Sequence, residues 1–351
     1  MSRPQATQAG LAGQPLEGEP RARVLVAGAS GFAGALAARL VWHHPRLELA
    51  AATSRQDAGT RLDSLYPRHR VPVELEALDL DATDSLDAAV VAYPHGAAAE
   101  LVAELRRREL TVVDVSADFR LRDLAAYERT YGDHGAPDLL GEAVYGLPEL
   151  HRDRIAGAGL VANPGCYPTA ALLALAPLAE RGLMDGVVIS AASGVSGAGR
   201  DGGERLHFVN VDENFSPYGV GGHRHAPEID QELAALGWSG KATFVPHLAP
   251  LDQGLLASCY VDLAADVSDD ELRSLYEGRY GPEAFVEVVE DAPGVRDVRD
   301  TNACRIMVAL DRPAGRALVF AAIDNLWKGA AGQAIQNLNL MRGLPETEGL
   351  E

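Results

Sequence analysis

Cysteine is scarce in this chain, basic charge is scarcer than acidic, and long apolar runs are missing; each shortage removes a class of function. The three cysteines, Cys166, Cys259 and Cys304, are odd in number and far apart, which argues against a disulfide framework and leaves no metal-ligand spacing. With 31 Lys and Arg against 50 Asp and Glu, the formal net charge is -19, so the long-range field repels phosphate backbones and anionic membranes. No nucleic-acid partner is expected, and an anionic substrate has to be captured by a few arginines or helix N-termini placed against that field. No stretch reaches the roughly 18 uninterrupted apolar residues of a membrane span. Residues 1–20 lack the apolar centre of a secretory signal, so the expectation is a cytoplasmic protein with no membrane partner. Those residues, rich in Gln, Gly, Pro and Ala without periodicity, read as a flexible tail.

What is present is apolar material in quantity: 351 residues, 47% hydrophobic, enough for two ordinary cores. An apolar run at 24–27 leads through a glycine cluster into a helical stretch ending near His43, and a second apolar run covers 47–52. The alternation continues as strand 88–92, helix 97–108 and strand 111–115, the rhythm of a parallel sheet flanked by helices. Beyond Asn163 a helix at about 169–181 is followed by strand-like runs at 187–191, 243–246, 255–263, 285–289, 305–310 and 317–324. Most are separated by polar or glycine-rich connections, which predicts a mostly antiparallel sheet. The fold class is therefore α/β, a Rossmann-type domain over 21–165 plus an α+β domain over 166–327, with a last helical stretch at 330–341 that could pack on either.

Gly28, Ala29, Ser30, Gly31 and Gly34 lie between the first strand and the first helix, where missing side chains let backbone N–H groups approach a pyrophosphate. The next strand ends Thr53-Ser54-Arg55, without the acidic residue that bonds a ribose 2′-OH in NAD enzymes; Glu48 stands too early for that. A hydroxyl and a guanidinium there suit a 2′-phosphate, so NADP is the expected cofactor.

Cys166, in Asn-Pro-Gly-Cys-Tyr-Pro-Thr, stands at the start of an apolar helix, where the dipole and unpaired N–H groups favour a thiolate and could stabilise an oxyanion. Cys259 and Cys304 sit in strand-like apolar settings and read as inert. The acid/base partner is sought in Gly222-His223-Arg224-His225-Ala226-Pro227-Glu228. In an extended segment His223 and His225 point the same way, either could serve as base, and Glu228 could orient the His225 ring. No ligand set for a metal is completed. Further anion-handling candidates are the Ser116 to Arg120 segment and the glycine-serine loop from Ser193 to Arg200, which contains Ser196; with Arg224 they supply local positive charge. His43, His44, His69, His95, His134, His151, His207 and His247 read as surface or packing residues.

These motifs, together with Pro94-His95-Gly96, Val-Pro-His-Leu at Val245 and Asn-Leu-Trp-Lys-Gly-Ala-Ala-Gly-Gln-Ala at Asn325, resemble the N-acetyl-gamma-glutamyl-phosphate reductases, in the superfamily of aspartate-semialdehyde dehydrogenase. Eight motifs in order, from about Arg23 to the end, carry the resemblance. It implies that Cys166 attacks an acyl phosphate, that phosphate leaves, and that NADPH reduces the thioester to the semialdehyde. It further implies His225 as acid/base with Glu228 behind it, His223 and Arg120 on the substrate side, Asn325 near the nicotinamide, and segment 328–351 packed on the cofactor domain. A homodimer or homotetramer acting on a small acyl phosphate is expected. A related reductase of carrier-protein-bound aminoadipyl phosphate in lysine biosynthesis is the alternative, and its nucleophile follows a different local sequence. Gln253 stands where many relatives place an arginine. An acyl hydrolase with a merely structural nucleotide domain fits Ser54 and Arg55 poorly, and a non-catalytic NADP-binding module gives no reason for Cys166 at a helix start.

Overall fold

A computed structural model describes residues 21–200 and 203–350; the tail expected at 1–20 lies outside them. Six strands, β1 (Ala22–Ala27), β2 (Leu47–Thr53), β3 (Ala88–Val91), β4 (Thr111–Asp114), β5 (Val144–Tyr145) and β6 (Leu160–Ala162), form a sheet in the order β2-β1-β3-β4-β6-β5. Every pairing in it is parallel. Helices α1 (Phe32–His43), α2 (Ala99–Arg107), α3 (Leu124–Tyr131) and α4 (Pro148–Ile155) connect these strands. The strand order runs outward in both directions from β1 and β3, so the loops after β1 and β3 open a crevice at the carboxyl edge.

The chain then enters α5 (Cys166–Glu180), buried almost along its whole length from Tyr167 to Ala179. A seven-stranded sheet follows, ordered β11-β12-β13-β10-β7-β9-β8. Its strands are β7 (Met184–Ser193), β8 (Ser216–Pro217), β9 (Thr243–Leu248), β10 (Leu255–Leu263), β11 (Val286–Val288), β12 (Cys304–Asp311) and β13 (Arg316–Ile323). The long central pairs are antiparallel, while β7 with β9 and β11 with β12 are parallel. Helices α6 (Ala226–Ala235) and α7 (Asp269–Tyr280) lie between strands, and α8 (Gly332–Met341) comes last. Period-2 burial puts Ile189, Ala257, Cys259, Ile306 and Val319 under α5 in one core. On the opposite face Val188 and Tyr260 remain 38% and 36% exposed.

The fold class is as the alternation predicts, with two differences. The short strands β5 and β6 complete the parallel sheet although they offer only two and three residues to a pattern search. Helix α7 interrupts a stretch expected to be all strand and loop; its start carries a capping box, Ser268 with Glu271, and an acidic first turn. Helix α8, whose packing the residue pattern alone leaves open, joins the core of the first domain, its Ala334, Ile335 and Leu338 packing with Val24, Val26 and Leu36. No helix among the described residues is long and apolar enough to cross a membrane.

Candidate active site

The glycine loop is built for close approach. Gly28 has φ +84°, and a Cβ there would lie 2.5 Å from the carbonyl oxygen of Ala92; a Cβ on Gly34 would lie 2.1 Å from that of Gly28. Only glycine fits either position. Gly31 precedes α1 with no side-chain cap, leaving the first-turn N–H groups of α1 for an anion, and the N–H groups of Gly28 and Ala29 donate to the carbonyl of Thr53. This cradle fits a dinucleotide pyrophosphate. The three residues after β2 divide their roles. The Thr53 hydroxyl is buried without a hydrogen-bond partner. Ser54 is buried, its Oγ 2.8 Å from Ser30 Oγ and accepting the Asp57 N–H at 3.0 Å. Arg55 is exposed, its guanidinium 4.3 Å from the centre of the Tyr93 ring, and of the three it alone can face a phosphate.

Cys166 is the first residue of α5, after the N-cap Gly165, and that cap has no side-chain hydrogen bond. It follows β6 directly, so it sits on the same carboxyl edge as the glycine loop. A Cβ on Gly329 would lie 2.8 Å from Cys166 Cβ; one on Gly165 would lie 2.7 Å from His225 Nε2 and 3.0 Å from Arg120 Nη1. The two glycines thus let the C-terminal segment pack on Cys166 and the His225 and Arg120 side chains on Gly165, the residue before it. The helix start alone predicts an ionised thiol, but burial overrides it. Burial pushes the Cys166 thiol up to about 11, against the downward pull of Arg120 and the Tyr167 N–H.

The histidine motif is a turn at the start of α6, not an extended segment: His225 is αR at φ -83°, and its N–H donates to His223 Nδ1 at 3.1 Å. The two rings still meet edge to face, 4.8 Å between centres. His223 is boxed by Tyr167, Tyr218 and Phe244, and burial with Arg224 brings it down to about 4. Burial, then Arg120 and the neighbouring His223, His95 and Arg224, hold His225 well below its ordinary value, so it is a free base at neutral pH. Its Nδ1 is buried without a hydrogen-bond partner.

Glu228 corrects the expectation from spacing. Its Oε1 accepts the Gly165 N–H at 2.9 Å and the Tyr145 hydroxyl at 2.8 Å, and its Oε2 faces Arg120 Nη1 at 3.5 Å. Neither carboxylate oxygen is hydrogen-bonded to His225, whose Nδ1 is unpartnered, so Glu228 holds Gly165 and Arg120 rather than orienting the imidazole. Burial raises its pKa, against the Arg120 charge and the Gly165 N–H. Arg120 is itself buried, donating to the carbonyls of Asn163 and Val115 at 2.8 Å each, and its Nη1 has no hydrogen-bond partner. Arg224 is exposed, and its charge acts on both histidines.

From the other side come the loop after β7 and the segment after β13. Asn325 Oδ1 accepts the Gly254 N–H at 2.6 Å and its Nδ2 donates to Ser196 Oγ at 3.0 Å, which ties Ser196 to this wall. Gln253 is buried and donates to Asp324 at 2.7 Å and Asp300 at 2.9 Å. One residue passed over by sequence reasoning lies close by. His95, read as a packing residue, accepts the Ala117 N–H through Nδ1, and burial with Arg120 and Arg224 brings it down to about 3. Its signal was Pro-His-Gly directly after a parallel strand, where the carboxyl edge gathers function. Asp118 accepts the N–H groups of Gly96, Ala98 and Ala99, so the Ser116 to Arg120 segment caps α2 while delivering Arg120.

Residues 23–158 match the semialdehyde dehydrogenase NAD binding domain and residues 166–325 the semialdehyde dehydrogenase dimerisation domain. The chain is 47% identical over 334 residues to N-acetyl-gamma-glutamyl-phosphate reductase of Alkalilimnicola ehrlichii, covering 93% of this chain and 97% of the relative. It is 49% identical over 333 residues to that of Rubrobacter xylanophilus, covering 92% and 97%. Among solved structures, aspartate semialdehyde dehydrogenase II of Vibrio cholerae complexed with ASA superposes with a TM-score of 0.72 at 18% identity, over 93% of this chain and 99% of the other. Aspartate semialdehyde dehydrogenase of Candida albicans with NADP superposes with 0.69 at 15% identity, over 92% and 98%. At those identities the likeness is one of fold.

Proposed function

The chain belongs to the semialdehyde dehydrogenase family, where its curated relatives are N-acetyl-gamma-glutamyl-phosphate reductases, and from that premise we propose the following reaction. N-acetyl-L-glutamyl 5-phosphate is reduced to N-acetyl-L-glutamate 5-semialdehyde in arginine biosynthesis, through a thioester on Cys166. The protein is an oxidoreductase with an NAD(P)-binding domain; the preference for NADPH is read from exposed Arg55 and from the lack of an acidic residue at the end of β2.

The observation that carries this reading is the enclosure of Cys166, at the head of α5, between Gly329 and the wall of Gly165, His225 and Arg120. A neutral imidazole beside a protonated thiol is a base waiting for a proton. His225 takes the Sγ proton, sulfur bonds to the acyl carbon, and the carbon–oxygen bond to phosphate breaks with the electron pair leaving on phosphate. First-turn N–H groups of α5 stabilise the oxyanion, and Arg120, Arg224 and His223 hold the substrate's anionic groups. NADPH, when bound, supplies the hydride that reduces the thioester carbon. The carbon–sulfur bond then breaks, the aldehyde departs, and His225 returns the proton to sulfur. His225 is preferred over His223 because the Nδ1 of His223 is already engaged by a backbone N–H and its ring is boxed by aromatics. A second copy of the chain is proposed to cover the open face of the seven-stranded sheet, as a dimer or a dimer of dimers, in the cytoplasm.

Cys166→Ser tests the reading. It should abolish phosphate-dependent NADP reduction with N-acetylglutamate semialdehyde while leaving NADPH affinity near wild type, and substantial residual turnover refutes the thioester route. The same assay with the aminoadipate analogue moves the chain to the lysine branch if that substrate is preferred.

A further inference from the structure

One ion pair crosses from the second domain to the rim of the glycine loop. Arg200, at the end of the loop after β7, donates from Nη1 to Asp57 Oδ2 at 2.7 Å and from Nη2 to Asp57 Oδ1 at 3.3 Å. The same Nη1 lies 3.4 Å from the carbonyl oxygen of Ser30, inside the glycine loop, and that carbonyl also accepts the Tyr66 hydroxyl at 2.7 Å. Asp57 belongs to the turn closed by Ser54 Oγ, whose hydroxyl partner is Ser30. The guanidinium of Arg200 therefore stands over the same Ser30 and Ser54 pair that Arg55 follows in sequence.

The stability of this pair does not explain it. Its side chains are 38% and 18% exposed, and such surface pairs typically contribute no more than about 1 kcal/mol. What the contact fixes is direction, because the planar fork that grips a carboxylate with two N–H groups grips a phosphate in the same way. In a chain of net charge -19, an anionic cofactor gains from each guanidinium brought to its site, and Asp57 would repel a phosphate if Arg200 did not neutralise it.

We propose that Arg200 is a cofactor-specificity residue supplied by the catalytic domain: Asp57 presents its guanidinium at the rim of the glycine loop, and it engages the 2′-phosphate of NADPH. This rests on the NADPH reading above. The loop that carries Arg200 also carries Ser196, bonded to Asn325, so the phosphate contact steadies the wall facing Cys166.

The test is fluorescence titration of the full chain with NADPH and with NADH, comparing wild type, Arg200→Gln and Arg200→Lys. Thermal melting serves as the folding control, and the melts should coincide because Arg200 is on an exposed loop. Arg200→Gln should weaken NADPH binding roughly tenfold, the size expected for a charge-assisted bidentate contact, and change NADH binding less than about twofold. Arg200→Lys keeps the charge without the fork and should fall between. Arg200→Gln with an unaltered ratio of NADPH to NADH affinity overturns the proposal while wild type still prefers NADPH. A wild type that binds both alike overturns the NADPH reading together with this one.

Discussion

At Cys166 two effects of opposite sign meet, and their balance sets how the sulfur is activated. The head of α5 and the Arg120 charge favour thiolate, while burial between two domains favours thiol, and burial wins with a pKa of about 11. On the proposed route, deprotonation therefore comes from His225. Iodoacetamide alkylation of Cys166, read against Cys166→Ser as blank, should rise about tenfold per pH unit from pH 7 to 10 as the thiolate fraction grows. A rate already level at pH 7 would mean a standing ion pair with His225 and would sink the general-base route. Cys259 and Cys304 are buried, and burial pushes both thiols up, Cys259 to about 12, so neither competes. Cys166 was legible as a candidate nucleophile because turn residues before an apolar helix are a local signal. Glu228 was legible as a functional residue but its partner was not, since spacing along α6 gives a direction and not the neighbour met there, Gly165 and Arg120.

Among the elements, the turn joining β13 to α8 is the least ordinary. The Ala331 N–H donates to the carbonyl of Leu326 at 2.7 Å and the Gly329 N–H to that of Asp324 at 2.9 Å, both i to i-5, a π-type turn. Asp324 caps it through the N–H groups of Leu326 and Trp327. The widened turn carries Gly329 onto Cys166 and points Lys328 into the interior, where its Nζ is fully buried and donates to Glu149 at 2.6 Å and Gln336 at 2.8 Å. Glu149 belongs to α4 and Gln336 to α8, so the pair locks three elements. Removing one partner leaves a buried charge alone: Glu149→Gln or Lys328→Met should destabilise by about 3–5 kcal/mol. Lys328→Met with Glu149→Gln should cost less than the two single changes added. Urea unfolding of the four proteins measures the coupling, and additive losses would show that the lock is not one unit. Sequence pattern registers such a segment only as a helix running through 330–341, because a one-residue widening leaves the apolar period unchanged.

For the molecule as a whole, the open face of the seven-stranded sheet is the surface proposed to carry a second copy. Val188 on β7 and Tyr260 on β10 are directly opposite each other in the register and both are exposed, while the other face of these strands packs under α5. An apolar sheet face left to water is unusual unless a partner covers it. Wild type should sediment as at least a dimer, and Tyr260→Asp together with Val188→Asp should shift it to the monomer mass. A wild type that sediments as a monomer removes this face as an interface.

By itself the sequence determined the glycine turn and the place of Cys166 at a helix start, because each is written within one or two turns of chain: a strand, a glycine turn, a helix start. Tertiary structure decided what lies more than one element away. It placed α8 on the first domain, set Glu228 beneath Gly165 and carried Arg200 across to Asp57, 143 residues distant in the chain. Backbone geometry is local and periodic, so it leaves a trace in residue order. Burial, charge and contact across domains depend on which surfaces pack, and packing is a property of the folded whole.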